Sequence, residues 1–331
     1  MVTQTADPRE EPATRGRRGL RGSRGIAGMR RSRGPLGTRR REAIDGYLFI
    51  APWLVGFVFL VAGPMLASLV MAFLDWDLFS PPTWAGLGNF RLLLHDRLVA
   101  KSLWNTAFFT VISVPLNLVT ALGAAMLLNQ RVRFRSVFRT LFYLPAVMPA
   151  VANAILWFWI LNPEVGLANS VLHMVGLPEL QWLQDPHTAK PSFILMNLWG
   201  IGNTMVIFLA GLQGIPQTLH DAAQVDGANW WHRFWAVTVP MLSPVILFNL
   251  VLGIIGSFQI FTSAFLLAGN GGPEQSTLFS VLYLYRLGFE QFRMGYAAAY
   301  AWVIFLVILV FSLVQFRLSR SWVHYEGEDA R

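Results

Sequence analysis

The chain contains no cysteine. That absence removes disulfides, thiolate metal sites and thiol nucleophiles together. Lysine is nearly absent too, with Lys101 and Lys190 the only two in 331 residues. Each follows an alanine, so a phosphate-cradling G-x-x-x-x-G-K cannot be written anywhere in the chain. His95, His173, His187, His220, His232 and His324 are scattered without H-E-x-x-H spacing, so no catalytic metal site is expected. Charge is thin overall, at 13% Asp, Glu, Lys and Arg, where soluble domains carry about a quarter.

What the chain has instead is apolar length. It is 54% hydrophobic, with 25 Phe and 13 Trp. Six segments hold no Asp, Glu, Lys, Arg or His: 47–74, 103–129, 140–161, 191–213, 242–268 and 296–316. Each reaches the roughly 20 residues that a helix needs to cross a bilayer. Gly63-Pro64 and Pro115 fall inside the first two, where membrane bundles tolerate kinks. The first segment, from Tyr47 to Leu74, is about twice as long as a signal-peptide core and reads as a retained span. The expected architecture is therefore an all-α integral membrane protein with six transmembrane helices.

Basic residues orient it. Twelve arginines lie in residues 1–46, a Gly/Arg-rich tail without apolar period that is expected to be disordered. The tail suits an anchor on anionic lipid better than nucleic acid, because no stacking aromatics interleave it. With both termini in the cytoplasm, 20 basic residues fall inside, including Arg131, Arg133, Arg135, Arg139 and Arg233, and 6 fall outside. Lys101 and Lys190 then face outward. The expected division is a tail at 1–46, a six-span domain at 47–317 with an inner connection at 214–241, and a cytoplasmic tail at 318–331.

Spans without ionisable groups argue against an ion-coupled carrier, although sodium sites built from backbone carbonyls would escape that test. They also lack the carboxylates or histidines of an intramembrane protease. Their polar content is neutral: Asn105, Asn117, Asn153, Asn197, Asn203, Asn249 and Gln259. Such amides serve interhelical hydrogen bonds at about 0.6–2 kcal/mol each, or line a path for a polyhydroxy solute. Asn153, Asn249 and Gln259 are the pathway candidates. Asn249, Gly253 and Gly256 share a helix face, and Gly253 with Ser257 forms a small-x-x-x-small pair. That face is either a packing seam or a flexible gate.

One inner stretch is polar and ordered: DAAQVDGANWWHRFWAVTVPMLSP, Asp221–Pro244. Thr218 and Asp221 have capping-pair spacing. Ala223, Gly227, Trp230 and Phe234 would share a face of one helix. Gly227 weakens such a helix by about 1 kcal/mol, so two short helices meeting near it fit equally. Pro240 and Pro244 are expected to end the element before the next span. Its bland reading is an interfacial helix with Trp at the headgroups. The other is a docking element, in which small residues admit a partner surface while Asp221, Asp226 and Arg233 give directional contacts.

At this stretch the chain resembles ABC importer permeases. Their EAA loop reads Glu-Ala-Ala, three residues, Gly, nine residues, then I-x-L-P. Ala222, Ala223, Gly227, Val237, Val239 and Pro240 follow that pattern. Asp221 replaces the usual Glu, and valines replace Ile and Leu. The segments "YLFIAPWLVGFVFLVAGPMLASLVMAF", "FRTLFYLPAVMPAVANAILWFWILNPEVGLAN" and "FLAGLQGIPQTLHDAAQVDGA" extend the likeness to the carbohydrate-type permeases, similar to those for maltose and glycerol 3-phosphate. The resemblance implies a type I importer permease fold, with 214–241 carrying a cytoplasmic coupling helix. Asp221, Ala222, Ala223, Asp226, Gly227, Arg233 and Pro240 would couple to an ABC ATPase dimer that binds the ATP and Mg. This chain would be no enzyme and hold no cofactor. A second related permease, an extracytoplasmic solute-binding protein and a carbohydrate are the other implied partners. The alternatives are a membrane scaffold docking a soluble partner through 214–241, and an ion-coupled carrier.

Overall fold

A computed structural model describes residues 35–130 and 133–323. Most of the Arg-rich tail, Arg131 and the last eight residues, including His324 and Arg331, lie outside the described residues. The described residues fall into two units divided after Val61. The first holds helix α1 (Pro35–Phe57), which runs into a π-helical segment, Val58–Ala62. Residues 35–46, expected to be disordered, are helical.

The second unit is helical apart from a two-stranded ribbon, β1 (Leu74–Asp75) with β2 (Thr83–Trp84). Its helices before the inner connection are α2 (Gly63–Met71), α3 (Gly88–His95), α4 (Arg97–Asn129), α5 (Arg135–Val147), α6 (Ala150–Ile160), α7 (Leu167–Met174), α8 (Pro186–Trp199) and α9 (Gly202–Gly214). After them come α10 (Gln217–Val225), α11 (Trp230–Arg233), α12 (Val239–Phe258), α13 (Thr262–Ala268), α14 (Ser280–Tyr285) and α15 (Met294–Ser319).

Glu42–Met71, Arg97–Asn129, Trp230–Phe258 and Met294–Ser319 are long and apolar enough to cross a membrane, and two bent pairs raise the number to as many as six. The third expected span, 140–161, is not one helix. It breaks between α5 and α6 at 101°. Pro149 causes this: it disfavours the helical conformation at Met148, which is extended at ψ 138°. The fourth bends by 47° between α8 and α9. The fifth stops at Phe258, and 262–268 forms the separate α13. Pro240 and Pro244 do not end an element. Helix continues from Trp230 to Phe258, with a π-helical segment at Phe234–Thr238 just before Pro240. Pro244 cannot donate to the Pro240 carbonyl, and Ser243 Oγ donates there instead at 2.6 Å.

Helix α4 is the axis of the unit, packed on α8, α9, α12 and α14. Small residues Ala121, Ala124 and Ala125 let α9 approach closely, against Met205, Phe208 and Leu209. Toward the N-terminal end of α4, Phe279 packs edge-on against both Phe109 and Phe193, at 5.5 and 5.3 Å. A line of hydroxyls and amides runs beside this core. Ser102 bonds Tyr300 at 2.7 Å, Thr106 bonds Ser280 at 3.0 Å, and Ser257 donates to Thr110 at 2.8 Å. Asn105 donates to the carbonyls of Gln275 and Leu278, so this amide is structural. Large apolar side chains such as Val111, Val119, Val310 and Leu313 remain more than half exposed. A surface of that kind is stable in hydrocarbon and not in water.

Asp96 closes the end of this assembly. Its Oδ1 caps α4 by accepting from Leu98 N at 2.8 Å, and its Oδ2 accepts from Tyr283 and Tyr296 hydroxyls, both at 2.8 Å. Burial pushes its carboxyl up, but the two phenols and the backbone amides outweigh that and hold it below its ordinary value. A carboxylate with a lowered folded pKa gives stability that is complete above its unfolded value, near 3.8, and lost as pH falls through the folded value. Asp96→Ala should therefore cost about 2 kcal/mol at neutral pH. The gap to wild type should narrow below about pH 4, as measured by melting of the detergent-solubilised protein.

Candidate functional site

Two features of the second unit carry candidate function: an exposed helical segment, and a polar cavity among the spans.

The segment begins with α10, none of whose residues is buried. Pro216 is its N-cap, without a side-chain cap bond. The expected Thr218–Asp221 capping pair therefore does not form, because the helix starts one residue ahead of Thr218. Asp221 Oδ1 instead accepts from Gln217 Nε2 one turn back, at 3.1 Å. At the other end Gly227 stands at φ +82°. Ala228 N donates to Ala223 O at 2.9 Å and Gly227 N to Gln224 O at 3.1 Å. These are the paired bonds of a helix terminated in the left-handed conformation. Asn229 then caps α11, accepting from His232 N at 2.9 Å. The two-helix reading of the sequence is the one observed, and the single face joining Ala223 to Phe234 does not exist.

One polar contact bridges the two short helices: Arg233 Nη1 donates to Gln224 Oε1 at 3.2 Å. Trp230, Trp231, Phe234 and Trp235 form one aromatic cluster at 5.1–6.0 Å, Phe234 stacked on Trp230 and Trp231 and Trp235 edge-on to Trp231 and Phe234, with the three indoles more than half exposed. Asp221, Ala222, Asp226 and Gly227 are exposed, and Ala223 and Arg233 are partly buried. Pro240 sits apart from them, in the first turn of α12.

The cavity has two lobes, about 230 and 370 Å³, which share Asn117, Asn197, Gly200, Gly256 and Ser257. Asn117 Nδ2 donates to Asn197 Oδ1 at 3.2 Å across the space between α4 and α8. Phe109, Asn153, Phe193 and Ser263 line the first lobe, and Asn203, Thr204, Asn249 and Leu252 line the second. No charged side chain lines either. Asn153 Oδ1 and, one turn on, Trp157 Nε1 are buried without a protein partner. Of the three pathway candidates, Asn153 and Asn249 line the cavity. Gln259 lines neither lobe and is exposed at the end of α12.

On the glycine face of α12, a Cβ on Gly253 would meet Val114 at 2.9 Å, so that position is a packing seam at the wall of the second lobe, whereas a Cβ on Gly256 would meet nothing within 4 Å and that residue lines both lobes. Sequence reasoning counted Asn117, Asn197 and Asn203 as span amides without selecting them. The recurrence of Asn197, Gly200, Asn203 and Thr204 along one polar strip was the available signal. Among the described residues, no His/Asp/Glu group is placed to hold a metal ion.

Comparison with known proteins agrees with this architecture. Residues 117–324 match the family model for binding-protein-dependent transport system inner membrane components. The chain is 41% identical over 294 residues to the probable ABC transporter permease protein YesP of Bacillus subtilis, covering 88% of this chain and 95% of that one. It is 36% identical to the lactose transport system permease protein LacF of Rhizobium radiobacter, over 86% of this chain and 96% of that one. A bacterial ABC transporter that imports the acidic polysaccharide alginate superposes with a TM-score of 0.76 at 26% identity, over 86% of this chain and 98% of that one. The apolar spans, the neutral cavity, the family match and the near full-length relatives agree, and the chain belongs to the inner membrane permease family of binding-protein-dependent ABC transport systems.

Proposed function

We propose that this chain is a permease subunit of an ATP-driven importer that passes a saccharide through the cavity between α4, α8, α9 and α12. The observation that carries this reading is the lining. Amides, hydroxyls and glycine backbone, with Phe109 and Phe193 beside them, match the alternating hydroxyl and C–H surface of a sugar. Ions would need charge or converging carbonyls instead. Relatives carry names for lactose, arabinooligosaccharide and trehalose/maltose transport.

Asp221, Ala222, Ala223, Asp226, Gly227 and Arg233 would seat in a cytoplasmic ATPase, and Pro240 would pass the movement into α12. Hydrolysis and its ATP and Mg would reside in that partner. A second permease would complete the translocation path, and an extracytoplasmic binding protein would deliver the solute. A solved alginate transporter has been captured with a pentasaccharide-bound periplasmic protein. This arrangement puts 214–241 and both termini in the cytoplasm.

The test is ATP hydrolysis by the reconstituted importer across a panel of sugar-loaded binding proteins. One sugar class should stimulate hydrolysis, and Asn197→Leu should cut uptake about tenfold or more by removing a hydrogen-bonding wall group. Uptake that follows an ion gradient and ignores ATP would overturn the proposal.

A further inference from the structure

Lys190 lies where positive charge is hard to accommodate, and Lys101 occupies the matching position on the helix packed against it. Each is the fifth residue of its helix, α4 and α8, and these helices pack together. The two lysines are also close enough to feel each other's charge. Lys190 is partly buried, with its Nζ 5.0 Å from the centre of the Phe108 ring. Among the described residues neither lysine has an ion-pair partner. The capping carboxylates nearby, Asp96 and Asp185, are held by other groups, Asp185 by the amide of His187. Lys190 thus combines partial burial with a neighbouring like charge, and Lys101 stands exposed on the helix packed against it, neither with an ion-pair partner among the described residues.

Their surroundings indicate what an anion would belong to. Lys101, Trp104 and Phe108 follow one another at i, i+3 and i+7 on α4, and the Trp104 indole is 65% exposed. On α8, Lys190, Phe193 and Asn197 follow at the same spacing. Phe193 and Asn197 line the first lobe of the cavity, so Lys190 stands about 10 Å along the helix from Asn197. The pair marks the end of α8 and α9 remote from α10, which is the entrance in the proposed orientation. Open indole faces stack on the C–H faces of sugar rings, and paired ammonium groups hold an oxyanion.

Resting on the importer reading above, we infer that Lys101, Lys190 and Trp104 form an entry subsite for the carboxylate and ring of an acidic saccharide, ahead of the neutral cavity. A sugar phosphate offers the same oxyanion chemistry. The subsite selects and concentrates the solute, and the amide-lined cavity then handles the rest of the ring.

The experiment is uptake by proteoliposomes holding the complete importer and its binding protein. Three solutes are compared: an oligouronide, the same oligosaccharide with its carboxylates reduced to alcohols, and a sugar phosphate. Wild type should take up the oligouronide, with KM rising as salt is added. The Lys101→Gln/Lys190→Gln double variant should raise the oligouronide KM about tenfold, with kcat unchanged and neutral uptake within about twofold of wild type. Trp104→Ala should weaken charged and neutral solutes alike. Preferred uptake of the sugar phosphate would overturn the carboxylate assignment. Equal losses for acidic and neutral solutes in the lysine variant, or its failure to retain the partner permease, would overturn the subsite. Wild-type import of the neutral compound alone would do the same and leave the importer reading standing. Absence of any ATP-dependent saccharide uptake would remove the importer reading itself.

Discussion

Gly227→Val should leave the protein in the membrane and assembled with its partners, yet reduce import by at least tenfold. The effect does not come from crowding, because a Cβ at Gly227 meets nothing within 4 Å. It comes from the backbone. At φ +82° an L-residue is strained by about 1–2 kcal/mol, and a β-branched one by more. The chain relieves that strain by swinging φ negative, which breaks the two bonds ending α10 and re-aims α10 against α11. Since α10 has no buried residue, the bundle does not register the change, whereas a docked partner would. The measurement is ATPase activity of the assembled complex with and without loaded binding protein. Stimulation should vanish while basal hydrolysis and co-purification persist. Asp221→Lys should act similarly by reversing charge on the same exposed surface. Normal transport in both variants would remove the coupling role from this segment.

The largest stability effect is expected at Gly295. There α15 lies against the ribbon, Gly295 N donates to Trp76 O at 3.3 Å, and an added Cβ would drive directly into the Leu74 carbonyl. A backbone oxygen within a paired ribbon cannot step aside as a flexible side chain does. Gly295→Ala should cost on the order of 3 kcal/mol or more, seen as loss of the monodisperse peak after solubilisation and a lower melting temperature. Gly123→Ala on α4 is the control. Nothing lies within 4 Å of its added Cβ, so the replacement should be neutral or stabilise the helix by about 0.5–1 kcal/mol.

The six apolar segments were visible in the sequence because hydrocarbon imposes one simple requirement over many residues. Where helices break was less visible. Pro64, Pro115 and Pro244 are absorbed within helical runs, and Pro149 produces a right-angled break, though all four are prolines in apolar sequence. The outcome depends on the backbone before each proline: ahead of Pro244 the chain stays helical and Ser243 Oγ bonds the Pro240 carbonyl, whereas Met148 ahead of Pro149 turns extended at ψ 138° and ends α5, its N–H bonding the Pro145 carbonyl. The hinge at Gly227 was legible as one of two options, since glycine after a short helical run suits a left-handed end. The cavity was only partly legible. Asn105 and Asn197 look alike in sequence, yet one satisfies two loop carbonyls and the other faces open space. Nothing local distinguishes them, because the decision is made by Gln275 and Leu278, about 170 residues away. Gly295 gave no signal, since its constraint is a carbonyl from a distant ribbon.

The helical run from Trp230 to Phe258 has a mechanical corollary. Trp230 and Gly256 are separated by about 39 Å at 1.5 Å per residue. One end belongs to the exposed aromatic cluster, and the other forms a wall shared by both lobes. If the rod pivots near its aromatic end, a tilt of about 5° shifts the far wall by about 3 Å over that length, roughly the thickness of one sugar ring. A small rotation at the surface is thus geometrically sufficient to open or close the space at Gly256, without any side chain there changing rotamer.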